Sequence, residues 1–271
     1  MPVGVQNGQP VWAQRTPKAR LALWAGWLAL VALFVFCWQV MTKDTIWIFV
    51  YDAPKAAADI GSRMVPPRWA YIEKLWWPVW DTINIATLGT MMGVIIAVPV
   101  AFLAARNTTP STLVARPIAL LIIVSSRSIN SLIWALLLVS IIGPGVLAGI
   151  VAIGLRSIGF CAKLLYEAIE EIDESQVEAV TATGASGAQV MNYAIVPQVL
   201  PAFAGISVFR WDINIRESAI LGLVGAGGIG LQLKSSLDML AWSQVTVIFI
   251  VILATVVLSE WVSAKVRHAI I

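Results

Sequence analysis

The chain has 271 residues, of which 59% are hydrophobic and only 12% charged, and its mean hydropathy is +0.84. A soluble domain carries about a quarter charged residues, so this composition excludes an ordinary soluble fold and asks how often the chain crosses a bilayer. The net charge of +3 does not signal nucleic acid, because the basic residues sit beside apolar segments as topology signals do, with no basic stripe interleaved with aromatics.

Cys37 and Cys161 lie far apart in apolar runs, and His268 is the one histidine. Neither a disulfide framework nor a His-based catalytic or metal constellation can be built from them. The expectation is a multi-pass, all-α integral membrane protein of about six transmembrane helices, without cofactor.

In chain order, Arg15, Lys18 and Arg20 precede an uncharged run from Leu21 to Met41. That run is too long for a signal peptide and lacks small residues before a cleavage point. It reads as a retained first span, with residues 1–20 as a cytoplasmic tail. Residues 42–80 are mixed and broken by Pro66-Pro67, and read as a periplasmic, interfacial segment. Trp69, Tyr71, Trp76, Trp77 and Trp80 suit a belt at the membrane surface, where an apolar ring and a polar edge are both satisfied.

The second span is Thr82–Ala105, with Pro99 inside it. Arg106–Arg116 is a short cytoplasmic loop with a positive residue at each end. The third span runs from Pro117 to Ile142 and contains Arg127, the Gly143-Pro144-Gly145 turn follows, and Val146–Tyr166 forms the fourth span with Arg156 inside. Six acids between Glu167 and Glu178 mark a cytoplasmic excursion that continues to Pro197. Gln198–Leu223 is the charge-bearing fifth span and Met239–Ser259 the sixth. Lys265, Arg267 and His268 belong to a cytoplasmic tail over 265–271, and residues 81–264 form the core.

The most informative stretch is Glu178-Ala-Val-Thr-Ala-Thr-Gly184, followed by Ala194-Ile-Val-Pro197. It resembles the cytoplasmic loop of the ABC-importer permeases, E-A-A, three residues, G, nine residues, I-x-L-P. Glu178, Ala179, Gly184 and Pro197 match at the right spacing. Val180, Ala194 and Val196 depart from the pattern but stay small or apolar. Two helical pieces joined at Gly184 would project as a hairpin. Glycine there permits a positive φ or a close backbone approach, Ala179 and Ala182 keep one face small, and Pro197 would end the element before the next span. The plain alternative is an acidic surface loop.

A second resemblance lies in the run Phe209 to Gly230, with Asn214, Arg216 and Val224-Gly-Ala-Gly-Gly-Ile-Gly230, and in Lys163-Leu-Leu-Tyr-Glu-Ala-Ile-Glu-Glu-Ile-Asp173. Both look like the phosphonate-transport permeases, and the likeness covers roughly residues 80–265. It implies a type I ABC importer permease fold in the bacterial inner membrane, with no enzymatic activity in this chain. It also implies two copies of this subunit, two ATP-binding subunits docked on the 167–197 loop, and a periplasmic binding protein. Phosphite and hypophosphite importers have similar permeases, so the anion stays open.

Gly225, Gly227, Gly228 and Gly230 also satisfy G-x-G-x-x-G, but that fingerprint needs a preceding strand, a following helix and an acid some 20 residues on. None is expected here, and the glycines read as a tight turn or re-entrant segment facing a cavity. No G-x-x-x-x-G-K-[ST] loop occurs, so ATP hydrolysis would fall to a partner.

Arg127, Arg156, Arg210, Asp212, Arg216 and Glu217 fall inside apolar spans, where a charge costs at least about 2.5–3.5 kcal/mol and marks a pathway or a partner. On a continuous third span Arg127 lies about 15 Å deep, near the midplane, with Asn130 one turn on. These two, with Arg210 and Arg216, are the candidate substrate pathway. The competing reading pairs Asp212 with Arg216 and Arg210 with Glu217 in an internal ion network. A secondary transporter of a small anion would need no ATPase but usually shows internal repeats, which are not evident. A lipid-headgroup enzyme would need a clustered acid–base or metal set.

Overall fold

A computed structural model describes residues 3–6, 8–12 and 17–270. The chain divides into two units, residues 1–59 and 60–271.

The first unit opens with a feature that the all-α expectation did not include. Strands β1 (Val3–Gln6) and β2 (Gln9–Trp12) pair antiparallel, with Gln6 opposite Gln9. The signal was an Asn-Gly pair, the preferred two-residue hairpin turn, and Gly8 has φ +77°. Helix α1 (Pro17–Thr42) follows. It is apolar all round, as a lipid-facing span must be, and contains the expected first span. Helix α2 (Trp47–Met64), with Pro54 inside it, occupies the stretch read as an irregular interfacial segment.

The second unit carries the membrane core. A 3₁₀ turn over Trp69–Leu75 leads into α3 (Trp76–Ala104), so the second span begins about two turns earlier than its charge pattern suggested. Trp69, Trp76, Trp77 and Trp80 are exposed, consistent with a surface belt. Helices α4 (Ala115–Ser128) and α5 (Ser131–Ile142) replace the continuous third span. They form one bent pair with an 86° break between them. Arg127 lies in the last turn of α4, at the break.

Helix α6 (Val146–Glu170) comes next, and then the short α7 (Glu174–Ala182) and α8 (Gly187–Val190). A π turn over Met191–Ile195 runs without interruption into α9 (Val196–Leu221). Pro197 thus lies within a continuous helical run over Gly187–Val224, directly after the π turn, and does not end the element before the span. A 3₁₀ turn over Gly222–Val224, α10 (Ile229–Asp238) and α11 (Trp242–Ile270) complete the unit. Basic residues 265–268 continue α11 rather than forming a separate tail.

Among the described residues, five helical stretches are able by length and composition to cross a membrane, and six if the α4–α5 pair counts as one. The six-helix, all-α expectation holds for the membrane part.

The core is organised by α3 against α6. Gly89-Thr-Met-Met-Gly93 is a small-xxx-small stripe that lets two helices approach closely where no hydrophobic effect drives them together. A Cβ at Gly89 would lie 2.7 Å from Ile153 Cγ2, and one at Gly93 2.5 Å from Ser157 Cβ. Helices α4, α5 and α9 also pack on α6. Ile85, Ala135, Ala152, Ile153, Leu221 and Ala226 form one buried cluster here. Leu75, Ile229, Leu233, Val245 and Ile248 form another, beneath α10 and α11.

Candidate functional site: a helical hairpin and a polar seam

The hairpin is built mainly from local bonds. Asp173 caps α7 by accepting from the Ser175 backbone N–H at 2.9 Å and from its hydroxyl at 2.7 Å. These bonds hold the Asp173 carboxyl below its usual pKa. Gln198 in α9 accepts from the Asp173 N–H at 2.9 Å and donates to the Ala194 carbonyl at 2.8 Å, which closes the hairpin at its base. Helix α7 ends with the Gly184 N–H donating to the Thr181 carbonyl at 3.0 Å. Gly184 has φ +79°, the left-handed conformation in which glycine lets a helix stop without strain. Ser186 and Gln189 make a capping box for α8, a signature of a helix start.

No residue of α7 or α8 is buried. Glu178, Ala179, Ala182 and Gly184 all face outward, and a Cβ on Gly184 would meet nothing within 4 Å. Within this chain the glycine is thus required by its backbone angle alone. Val177 and Met191 anchor the hairpin on a cluster that includes Ala101, Ala162, Leu165, Ile169 and Ile195. The Arg106–Arg116 loop is stitched beside it. The Arg106 N–H donates to Glu170 at 2.8 Å, Asn107 donates to the Ile169 carbonyl at 2.6 Å, and Arg116 lies 3.6 Å from Glu170.

The second constellation is a polar seam where α9 crosses α3, α5 and α6. Asn214 is fully buried and donates to Thr90 Oγ1 at 2.7 Å and to Ser157 Oγ at 3.0 Å. Arg210, 2% exposed, donates from Nε to the same Ser157 hydroxyl at 3.0 Å. Its guanidinium lies 5.0 Å from the centre of the Phe160 ring, within range of a cation–π contact. Glu217 reaches Arg156 at 2.8 Å and Arg210 at 3.6 Å. Asp212 pairs with Arg216 and accepts from the Ser259 hydroxyl at 2.8 Å.

Both pairs expected from helical spacing are present. Arg156 joins one of them from another helix, which no spacing rule within α9 could have found. The available signal was polar: Thr90, Arg156 and Ser157 interrupt otherwise apolar spans.

The structure does not gather the four pathway candidates into one place. Arg210 lies in the seam, and Arg216 is half exposed beside Asp212. Arg127 and Asn130 stand on either side of the break. Asn130 caps α5 by accepting from the Leu132 N–H at 3.1 Å. The Arg127 side chain is exposed, with no ion pair or hydrogen bond among the described residues.

The glycines form a third feature. Gly225, Gly227 and Gly228 have φ of +91°, +83° and +74°. The Gly225 carbonyl accepts from the Gly145 N–H at 3.0 Å, and the Ile229 N–H donates to Thr82 Oγ1 at 2.8 Å. The loop packs on the 143–145 turn and the start of α3, and α10, ten residues long, is too short to cross a bilayer. A helix does follow the glycines, contrary to expectation. The glycines follow a 3₁₀ turn and not a strand, so the dinucleotide reading still fails.

Comparison with known proteins defines the class. The family described as binding-protein-dependent transport system inner membrane component matches residues 97–264, and the chain belongs to it. It is 37% identical to a phosphite transport system permease protein of Stutzerimonas stutzeri over 89% of this chain and 88% of that protein. It is 36% identical to the phosphate-import permease protein of Mycolicibacterium smegmatis over 89% of this chain and 44% of that longer protein. Among solved structures, the inward-facing MetNI methionine ABC transporter superposes with a TM-score of 0.64 at 21% identity, covering 75% of this chain and 99% of the matched one. The fold is that of a type I ABC importer permease, and the protein is a multi-pass component of the inner membrane.

Proposed function

We propose that this chain is the translocating subunit of an ATP-binding-cassette importer that carries a phosphorus oxyanion (phosphonate, phosphite, hypophosphite or a phosphate ester) into the cytoplasm. The observation that carries the reading is the exposed α7–α8 hairpin, with Glu178, Ala179 and Gly184 outward and its base tied to α9 by Gln198. Such an element offers a separate ATPase subunit a lever on a membrane helix. Two ATPase subunits, a second copy of this chain and a periplasmic binding protein complete the assembly, and ATP is hydrolysed by the partner.

Both termini and residues 167–197 face the cytoplasm, and residues 42–80 face outward or lie at the interface. The phosphite and phosphate permeases named above support the oxyanion class, as does an arginine-rich membrane interior. Arg127, Arg210 and Arg216 are candidates along the path, and Gly225, Gly227, Gly228 and Gly230 shape its outer mouth.

The test is reconstitution in liposomes with the cognate ATPase and binding protein, followed by uptake of phosphite, phosphate and methylphosphonate. Uptake of at least one should require ATP, the ATPase subunit and the binding protein together. Uptake that survives omission of the ATPase would instead favour a secondary transporter, and uptake of none would overturn the oxyanion class.

A further inference from the structure

Four arginines within the apolar spans, at positions 127, 156, 210 and 216, face two carboxylates, Asp212 and Glu217. Internal pairing therefore leaves positive charge over, in a medium where unpaired charge is costly. Asp212 is occupied by Arg216 and the Ser259 hydroxyl. Glu217 alone faces two guanidinium groups, Arg156 at 2.8 Å and Arg210 at 3.6 Å.

The inner half of this trio is incompletely bonded. Arg210 Nη2 and Glu217 Oε2 are both buried, and neither makes a hydrogen bond. The outer half is open. The Arg156 side chain is 30% exposed, and its Nη1 also donates to Ser131 Oγ at 3.3 Å, in the first turn of α5 just past the break. An ion pair serving only stability would be closed and neutral, with its lone pairs and protons satisfied. This one carries an extra positive charge, leaves two buried polar atoms without a hydrogen bond and is accessible on its Arg156 side.

We propose that Arg156 and Arg210 form an oxyanion site within the membrane, and that Glu217 is its resident counter-ion. An incoming phosphorus oxyanion replaces the Glu217 carboxylate on Arg156. The inference rests on the importer reading and assigns its substrate a place. Two oxygens of a tetrahedral oxyanion match the planar guanidinium fork as a carboxylate does, and a third oxygen reaches the Ser131 hydroxyl. Arg210 is fixed from behind by Ser157 and Phe160, and Ser157 is fixed in turn by Asn214. Arg156 is therefore the side chain free to exchange partners. The return of Glu217 neutralises the site as the anion leaves, which keeps binding weak enough for passage.

The experiment uses the full complex in liposomes, with phosphite as the probe. Arg156→Gln leaves the buried Arg210 with its counter-ion Glu217, a neutral pair with no stranded buried charge, so it is the deciding variant. It should assemble with the ATPase at close to wild-type abundance, and its phosphite uptake should fall about tenfold or more, as for loss of hydrogen bonds to a charged group. Arg156→Lys should keep part of the uptake with a raised KM. Wild-type uptake by Arg156→Gln would assign the trio a structural role and overturn the site.

If Arg156→Gln does not accumulate, Glu217→Gln decides. Without its resident counter-ion the detergent-purified complex should gain more Tm from millimolar phosphite than the wild type does. An equal or smaller gain would overturn the proposal. A wild-type complex that takes up none of the three anions would refute the importer reading itself, a result distinct from either of these.

Discussion

The α7–α8 hairpin and the α9 polar seam are constructed by opposite means. The hairpin buries none of its own helical residues, and apart from Gln198 its polar bonds join residues at most four apart. In the seam, Asn214 and Thr90 are 124 residues apart, Arg156 and Glu217 61. Local bonds make an element that keeps its shape while exposed, as a surface meeting another protein must. Long-range bonds in a low-dielectric interior are costly when left unmade, so they fix how helices sit against each other. A change in the hairpin should therefore disturb function at normal abundance, and a change that leaves a buried group of the seam unpaired should disturb the fold.

The comparison is strained most by enlarging the α3–α6 contact. A Cβ at Gly93 already lies 2.5 Å from Ser157 Cβ and 3.0 Å from the Gly154 carbonyl, and Ser157 is the hinge of the seam. Gly93→Val should cost about 1–3 kcal/mol or more through overpacking. Membrane abundance and the Tm of purified protein should fall together. Normal abundance would show that the two helices do not need this approach.

A smaller structural effect with a large functional one is expected at Gly184. Gly184→Leu meets no clash within the chain, but it forces a side chain into the left-handed region, at a cost of about 1–2 kcal/mol, and into whatever surface docks there. The variant should insert normally, yet lose uptake and binding-protein-stimulated ATP hydrolysis. Gly184→Asn sharpens the result, because asparagine tolerates this backbone angle and is smaller than leucine. Recovery with Asn assigns the defect to the turn, and persistent failure assigns it to the docking surface.

The smallest effect concerns the start of α7. The Asp173 carboxyl titrates below its usual range because Ser175 donates two hydrogen bonds to it. A depressed pKa contributes above the unfolded value and is lost only as pH falls through the folded one. The cap should therefore be intact across neutral pH and release only below about pH 4. At pH 7, Asp173→Ala should speed hydrogen exchange at the Ser175 amide without altering abundance. Unchanged exchange would mean that the base of the hairpin is held by Gln198 alone.

Much of this was legible before any coordinates. The spans follow from hydropathy because a bilayer requires some 20 apolar residues per crossing. The hairpin follows from a short motif whose glycine, caps and acidic run act within a few residues of one another. The two ion pairs on α9 follow from helical spacing. Two local signals went unused, the Asn7-Gly8 hairpin pair and the Gly89–Gly93 small-residue stripe.

The sequence by itself determined a multi-pass helical membrane protein, its family resemblance and the location of its exposed hairpin, because each rests on composition or on contacts near in the chain. Only the tertiary structure decided that the third span is broken at Ile129–Asn130, which leaves Arg127 at the break. Only there does Arg156 from α6 meet Glu217 and Arg210 from α9. Those facts depend on which helices pack together, and the pairing is set by small-residue approach and by satisfaction of buried polar groups across whole spans. A linear pattern carries no record of which distant partner a buried arginine will find.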